Sequence, residues 1–301
     1  MLIATIPGPH NPDLIKMITK HHNIDGCRFN TGVRVPFSPE ETLERLLEQV
    51  GSLDFWLDIK GRQLRIIQWS DPEYGEILLN HEVKVDLPAE VYFRGDDVCQ
   101  VRAILANQLF VYPNPKYALG AGQSLNIKGS NLTIEGYLTE EDILYLEAAK
   151  KLGINKLMLS FVESNEDIKA VEQYCPDVQM YLKIESQKGL DFVNLEYVLA
   201  DRIHLMAARD DLFINLEHKY NMIFALQDII KKDPQAVVAS RILTSLVRSE
   251  EISYGDIADL YLLHRMGYEN FMLSDSISLR PEIFYRAMDF WKEFEIKKQR
   301  G

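Results

Sequence analysis

Short hydrophobic runs alternate with amphipathic segments almost from the first residue of the chain. Eight runs have the length and aliphatic content of buried strands: 2–6, 25–29, 53–58, 156–161, 178–184, 202–206, 236–240 and 271–274. Eight segments between them repeat hydrophobic residues at helical spacing: 12–20, 39–50, 139–152, 165–173, 188–198, 216–232, 254–264 and 281–294. Thr139 and the acidic residues after it predict the start of one helix, because side-chain oxygens and negative charge stabilise a first turn.

Eight strands alternating with eight helices predict an α/β fold, a (β/α)8 TIM barrel. Such barrels carry their functional residues at the carboxyl ends of the strands. The alternative is a doubly wound open sheet, which more often has a glycine-rich phosphate loop after its first strand. No such loop is evident here.

The alternation breaks after the third strand. From about residue 66 to 125, short alternating runs are separated by turn residues such as Asp71-Pro72 and Asn80-His81. This pattern predicts a small inserted all-β domain at 67–122, with the barrel formed by 1–66 and 123–301. Because the insert follows the carboxyl end of strand three, it is well placed to act as a lid.

Three charged residues stand out near the ends of strands five and six. Lys183 and Glu185 are two positions apart in one strand, so both side chains point to the same side, and Asp211 follows the next strand. Two carboxylates suit a hard ion such as Mg²⁺, and an adjacent ammonium can stabilise an oxyanion. The alternative is a surface ion pair next to an exposed acidic turn.

Composition narrows the possible partners. The 301 residues are 47% hydrophobic and carry a net charge of −12, which argues against nucleic acid or an anionic membrane as a partner. A local basic patch must therefore attract any anionic substrate. The first residues lack a signal-peptide pattern and no apolar run reaches membrane-spanning length, so we expect a cytoplasmic protein.

A collinear series of short segments resembles the motifs of the pyruvate kinase family. The first half holds segments 3–9, similar to C-T-I-G-P, 27–32, similar to A-R-x-N-F-S-H-G, and 57–65, similar to L-D-T-K-G-P-E-I-R. The second half holds 125–129 (V-N-L-P-G), 181–186 (S-K-I-E-N), 208–212 (A-R-G-D-L), 238–246 (A-T-Q-M-L-E-S-M) and 272–274 (M-L-S-G-E). The shared order makes the resemblance more specific than any single segment.

The resemblance implies a role for each matching residue. Lys183 matches the catalytic lysine, Arg28 the phosphate-binding arginine, and Ser240 a threonine near the enolpyruvate methylene. Residues implied to bind substrate are Arg28, Lys183, Asp210, Asp211 and Ser240, and those implied to bind nucleotide are Arg65 and Asn30. Residues implied to bind metals are Glu185 and Asp211 for Mg²⁺ (or Mn²⁺), with Asn30, Thr31, Asp58 and the Ile59 carbonyl for K⁺.

The chain also departs from the family pattern. Asp210 replaces a glycine, Asp275-Ser276 replace Gly-Glu, and the loop after Asn30 lacks a Ser-His pair near the nucleotide. The resemblance ends with the eighth helix, so we expect a barrel and a shortened lid without the family's C-terminal domain. The enolpyruvate and metal half of the site is retained better than the nucleotide half.

Three functions remain open from the sequence. The first is Mg²⁺-dependent phosphoryl transfer between phosphoenolpyruvate and a nucleoside diphosphate such as ADP, or another acceptor, through a pyruvate enolate. The second is a metal-dependent lyase, decarboxylase or aldolase that acts on a pyruvate-type oxo-acid. The third is a non-catalytic barrel that binds a metabolite. The sequence leaves open whether the chain forms a homo-oligomer.

Overall fold

Eight parallel strands form a closed barrel in the computed structural model, which describes residues 1–93, 96–249 and 251–298. The barrel strands are β1 (Leu2–Ile6), β2 (Gly26–Asn30), β3 (Asp54–Ile59), β11 (Lys156–Leu159), β12 (Gln179–Ile184), β13 (Ile203–Ala208), β14 (Val237–Ala239) and β15 (Asn270–Met272). They follow this order around the barrel, and β15 pairs with β1 to close it. The predicted fold class is therefore confirmed.

Helices surround the barrel and connect its strands. They are α1 (Pro12–Thr19), α2 (Pro39–Val50), α3 (Glu140–Leu152), α4 (Asn165–Glu172), α5 (Gln187–Leu195), α6 (Arg209–Asn215), α7 (Asn221–Lys232), α8 (Tyr254–Met266), α9 (Asp275–Ser278) and α10 (Pro281–Lys298), with a 3₁₀ turn at Thr244–Val247. Thr139 caps α3 in both directions: its hydroxyl accepts from the Asp142 amide, and its own amide donates to the Asp142 carboxylate. Within the described residues, none of the helices is both long enough and apolar enough to cross a membrane.

The predicted helix over 216–232 is wrong at its start. A separate short helix, α6, follows β13 directly, and Leu216 then takes an extended conformation before α7 begins at Asn221. The Lys219 ammonium donates to the carbonyls of Phe213 and Ile214 at the end of α6. A cation at this end is favoured by the negative end of the helix dipole, so Lys219 stabilises the C-terminus of α6.

Among the described residues, seven short strands lie between β3 and α3, and we call them the inserted strands. They are β4 (Ile77–Leu78), β5 (Val83–Lys84), β6 (Glu90–Phe93), β7 (Asp97–Leu105), β8 (Gln108–Tyr112), β9 (Leu125–Lys128) and β10 (Thr133–Ile134). Five form an antiparallel sheet in the order β4-β8-β7-β6-β9, and two form a separate pair, β5-β10. Their hydrophobic core is separate from the barrel core and includes Leu64 and Ile127, which lie outside 67–122. The domain boundaries stay a prediction.

His81 connects the two segments that link these strands to the barrel. Its Nε2 lies 2.9 Å from the carbonyl of Gly61, just after β3, and its Nδ1 lies 3.0 Å from the carbonyl of Glu135, just before α3. Gly61 has a φ of +50°, and a Cβ there would lie 2.7 Å from the Tyr137 ring. Only glycine accommodates both the backbone conformation and this close contact.

Hydrophobic and aromatic side chains fill part of the barrel interior. Trp56 packs against Tyr181 with ring centroids 4.6 Å apart, and Met158 and Met206 belong to the same cluster. His204 is buried and lies 3.3 Å from the Asp233 carboxylate. Because apolar groups fill this part of the interior, polar chemistry is restricted to the ends of the strands.

We expect His204 to make the stability of the fold depend on pH. Its hydrogen bond to Asp233 raises the pKa of His204 against the opposing effect of burial. The folded state binds this proton more tightly than the unfolded chain. The stabilisation is therefore fully present below the unfolded pKa and is lost as pH rises through the folded pKa.

Urea unfolding between about pH 6 and pH 8 tests this expectation. The unfolding free energy of the wild type should fall with rising pH more steeply than that of His204→Asn. His218→Asn is the matched control, because the His218 side chain is 53% exposed. Equal pH slopes in the wild type and His204→Asn would contradict the assignment.

Candidate active site

A cavity of about 340 Å³ lies at the carboxyl ends of the barrel strands. Strands β2, β3, β12, β13, β14 and β15, or the residues that follow them directly, contribute to its lining, and the segment around β9 contributes Ser124. The charged lining residues are Arg28, Lys60, Arg65, Lys183, Glu185, Asp210, Asp211 and Asp275. The cavity therefore combines residues far apart in sequence at the end of the barrel where TIM barrels react.

Lys183 and Glu185 lie side by side at the end of β12. The Lys183 Nζ is 3.2 Å from a Glu185 carboxylate oxygen and donates to the Ser160 hydroxyl at 2.8 Å. The other Glu185 oxygen accepts from the Phe161 amide at 2.8 Å. Both side chains are almost fully buried, so their charges act in a medium that screens them poorly.

Glu185 and Asp211 have the properties of a divalent-metal pair. Burial, together with the nearby charges of Asp211 and Asp58, raises the pKa of Glu185 to about 7. The Asn126 side-chain amide donates to Asp211 at 2.9 Å and orients its carboxylate. Two carboxylates on one polar cavity fit Mg²⁺ or Mn²⁺, because water and substrate oxygens commonly complete such a shell. The part of the chain that the structure describes holds no cluster of three or more metal-binding side chains.

The buried carboxylate of Asp58 is surrounded by cations. It accepts from Arg28 Nε at 2.7 Å and also from Arg28 Nη2, and the Lys60 Nζ lies 3.1 Å from its other oxygen. The Lys183 Nζ is 3.5 Å away. Burial alone would raise the pKa of Asp58, but the charges of Lys183, Lys60 and Arg28 outweigh it and hold this pKa far below its usual range. Asp58 is therefore an anion that fixes three cations at the cavity.

The four residues expected to bind K⁺ do not fit that ion. Both Asp58 carboxylate oxygens already face Arg28 or Lys60, and the Asp58 carbonyl accepts from the Thr31 hydroxyl at 2.8 Å. The Asn30 side-chain oxygen accepts from the Gly32 amide at 3.0 Å, and the Ile59 carbonyl accepts from the Ser160 amide at 3.0 Å. An oxygen that accepts one hydrogen bond can still bind a cation, so charge decides the fit. Asp58 is the anion of this set and is already neutralised by Arg28 and Lys60, so we assign K⁺ no role.

Arg65 connects the inserted strands to the loop after β2. Its guanidinium donates to the carbonyls of Gly32 at 3.2 Å and Gly122 at 2.5 Å, and to the Gln63 side chain. A Cβ at Gly32 would lie 2.3 Å from the Arg65 guanidinium carbon, so the contact requires glycine. The arginine that the resemblance places near the nucleotide is thus engaged within the protein.

Three positions remain: Asp210 and Ser240, which are predicted to bind substrate, and Asp275, which departs from the family pattern. Asp210 accepts from Arg241 Nε at 2.9 Å, which accounts for a second carboxylate next to Asp211. Ser240 lines the cavity with a φ of +65°, a conformation that is costly for a residue other than glycine and is often found at functional sites. Asp275 accepts from Arg28 Nη1 at 2.9 Å.

Sequence reasoning missed two polar residues at this site. Lys60 lies within a matching segment but was assigned no role, and Ser160 lies at the end of a hydrophobic run. The Ser160 hydroxyl donates to Asp58 at 3.2 Å and accepts from Lys183, so it connects their charges. The sequence held one weak signal for Lys60. It lies two residues after Asp58, so in an extended chain both side chains point to the same side.

The chain is similar to known proteins of one family. The family model for the barrel domain of pyruvate kinase matches residues 95–276. Relatives include the pyruvate kinase of Borreliella burgdorferi, 26% identical over 160 residues (50% of this chain and 33% of the relative), and that of Mycobacterium tuberculosis, 26% identical over 216 residues (69% and 43%). The chain thus spans less than half the length of these relatives. Since the family model covers more than half of the chain, this protein belongs to the pyruvate kinase family.

Proposed function

We propose that the protein is a pyruvate-kinase-like phosphotransferase. The reaction is Mg²⁺-dependent phosphoryl transfer between phosphoenolpyruvate and a nucleoside diphosphate, or another acceptor, through a pyruvate enolate. The observation that carries the proposal is the position of the Lys183 ammonium, which is held between Ser160 and Glu185 on a cavity that three further cations line. Family membership supports the same reaction class.

The charge of the cavity suits a phosphorylated carboxylic acid. Arg28, Lys60, Arg65 and Lys183 concentrate positive charge at one place in a protein whose net charge is −12. Phosphoryl transfer relies on positioned cations around spread negative charge rather than on a covalent protein intermediate. The cluster can therefore attract a multiply charged anion and hold it as charge is redistributed.

Glu185 and Asp211 are the residues that would hold the divalent ion. When bound, this ion neutralises negative charge on enolate and phosphoryl oxygens. The Phe161 amide and the Asn126 side chain orient the two carboxylates through hydrogen bonds. Because Asn126 belongs to β9, the inserted strands contribute directly to the geometry of the proposed metal site.

Lys183 supplies the fixed positive charge next to the reacting oxygen. Burial lowers the pKa of Lys183, but Asp58 and Glu185 outweigh this effect and raise it above its usual value. The amine therefore stays protonated and stabilises an enolate oxyanion as the phosphoryl group leaves. Ser240 lines the same cavity and, by the resemblance, matches the family's threonine near the methylene carbon.

One observation favours the second reaction class, a metal-dependent lyase acting on an oxo-acid enolate. The Arg65 guanidinium, expected near nucleotide phosphates, donates to Gly32, Gly122 and Gln63 instead. The enolate half of the site does not depend on these contacts. Enolate chemistry without a nucleotide thus remains the alternative to phosphoryl transfer.

The first prediction concerns Lys183. Wild-type protein with Mg²⁺, phosphoenolpyruvate and ADP should form pyruvate, and Lys183→Met should reduce kcat by about 100-fold or more, because a preorganised cation is lost. Lys169→Met is the matched control, since Lys169 is exposed on α4 and lies away from the cavity. A wild type that forms no pyruvate with ADP, GDP or other acceptors would refute the phosphotransferase proposal.

Proton exchange at the methyl group of pyruvate separates the two reaction classes. With Mg²⁺ in D₂O, NMR should show loss of the methyl signal in wild type and retention of the signal in Lys183→Met, because exchange requires the enolate. Exchange without phosphoryl transfer would support the lyase class. Exchange that persists at the wild-type rate in Lys183→Met would show that Lys183 is not needed for enolate formation.

A further prediction follows from the cations that neutralise the Asp58 carboxylate. At equal ionic strength, the melting temperature in potassium nitrate should equal that in sodium nitrate, and thallium NMR should detect no bound ion, because Lys60 and Arg28 occupy the carboxylate. Lys60→Met frees one oxygen and should increase thallium binding, whereas Lys84→Met should not, because Lys84 is 73% exposed and pairs with Glu135. Specific binding of thallium to the wild type would restore the K⁺ assignment.

A further inference from the structure

The Arg28 guanidinium already uses most of its donors within the protein. Its Nε and Nη2 both donate to one oxygen of Asp58. Its Nη1 donates to the Thr5 hydroxyl at 3.2 Å and to the Asp275 carboxylate at 2.9 Å. Arginine has five N–H groups, so these four contacts leave one N–H, on Nη2, without a partner among them.

The two carboxylates that bind Arg28 contact different nitrogens of the guanidinium. Arginine recognises phosphate best through a pair of parallel N–H groups. Asp58 accepts from Nε and Nη2, so a ligand would need a free donor on Nη1 beside the free N–H of Nη2. Thr5 and Asp275 together accept from Nη1, so Nη1 is not free until one of them moves.

Asp58 and Asp275 also differ in how easily they can move. Asp58 is fully buried at the end of β3 and is held by several cations. The Asp275 side chain is 47% exposed, lines the cavity, and begins the short helix α9 after β15. Rotation of an exposed side chain into solvent costs little, whereas removal of a buried partner leaves an unpaired charge. Asp275 is therefore the partner that an incoming anion can replace.

We propose that Asp275 is a specificity-determining residue, an internal carboxylate that competes with a phosphate-type anion for the Nη1 group of Arg28. The inference rests on the proposed function in one respect, namely that the cavity receives a phosphoryl group. An anion with at least two oxygens and sufficient charge displaces Asp275 and forms the paired contact with Arg28. A weaker anion leaves the internal ion pair in place and is discriminated against.

Asp210 is an internal control for this proposal. Like Asp275, it is a partly exposed carboxylate that lines the same cavity and pairs with an arginine. Its partner, Arg241, does not line the cavity. Removal of either carboxylate changes the charge of the cavity equally, but only removal of Asp275 frees an N–H donor of Arg28.

Calorimetric titration with inorganic phosphate, without metal or nucleotide, tests the proposal. Asp275→Ala should bind phosphate about tenfold more tightly than the wild type. Asp210→Ala reports the effect of the lost cavity charge alone, so its gain in affinity should be clearly smaller than that of Asp275→Ala. Asp275→Glu should restore weak binding, because the longer carboxylate can still reach Arg28. Thermal unfolding of each variant shows whether the fold is kept.

Three outcomes would overturn the proposal. They are an unchanged phosphate affinity in Asp275→Ala, an equal gain in Asp210→Ala, and no phosphate binding by either the wild type or Asp275→Ala. The experiment is independent of turnover. If Asp275→Ala binds phosphate more tightly but the wild type forms no pyruvate, the proposal for Asp275 stands and the phosphotransferase proposal is rejected. If the wild type forms pyruvate but Asp275→Ala binds phosphate no more tightly, the phosphotransferase proposal stands and the proposal for Asp275 is rejected.

Discussion

The buried carboxylate of Asp58 is the constraint on which the rest of this site depends. A carboxylate without water must be paired, and Asp58 is paired with Arg28 and Lys60 and lies close to Lys183. These cations come from β2, from the end of β3 and from β12, so one anion determines where three sides of the barrel mouth place their charge. Removal of Asp58 would leave several buried cations to repel one another.

This arrangement explains why an acidic protein can present a cationic cavity. The positive charge lies inside the mouth of the barrel rather than on the outer surface. There, each cation pairs with an internal acceptor when no ligand is bound. Glu185 differs from Asp58 in this respect, because burial and acidic neighbours raise the pKa of Glu185. On the proposed function, the site is therefore divided into a region for the anionic substrate and a region for a divalent ion, with Lys183 between them.

The barrel and the Lys183–Glu185 pair could be predicted from the sequence because both follow from local periodicity. Strand runs identified the fold, and the two-residue repeat placed both side chains on one side of β12. The connection from Arg28 to Asp58 spans 30 residues and that from Lys183 to Asp58 spans 125 residues, so no local pattern contains them. Resemblance named Asp58 but predicted an ion beside it, whereas Lys60 occupies one of its oxygens. The predicted helix over 216–232 started five residues before α7 begins at Asn221, and the short helix α6 was not predicted.

The contacts of Arg65 have a consequence for the kinetics of ligand entry. By holding the carbonyls of Gly32 and Gly122, this side chain joins the inserted strands to the β2 loop beside the cavity. A bulky molecule that needs this space must wait until both contacts break, so an opening step precedes association. The observed rate of association would then level off at high ligand concentration, at the rate of opening rather than the rate of diffusion.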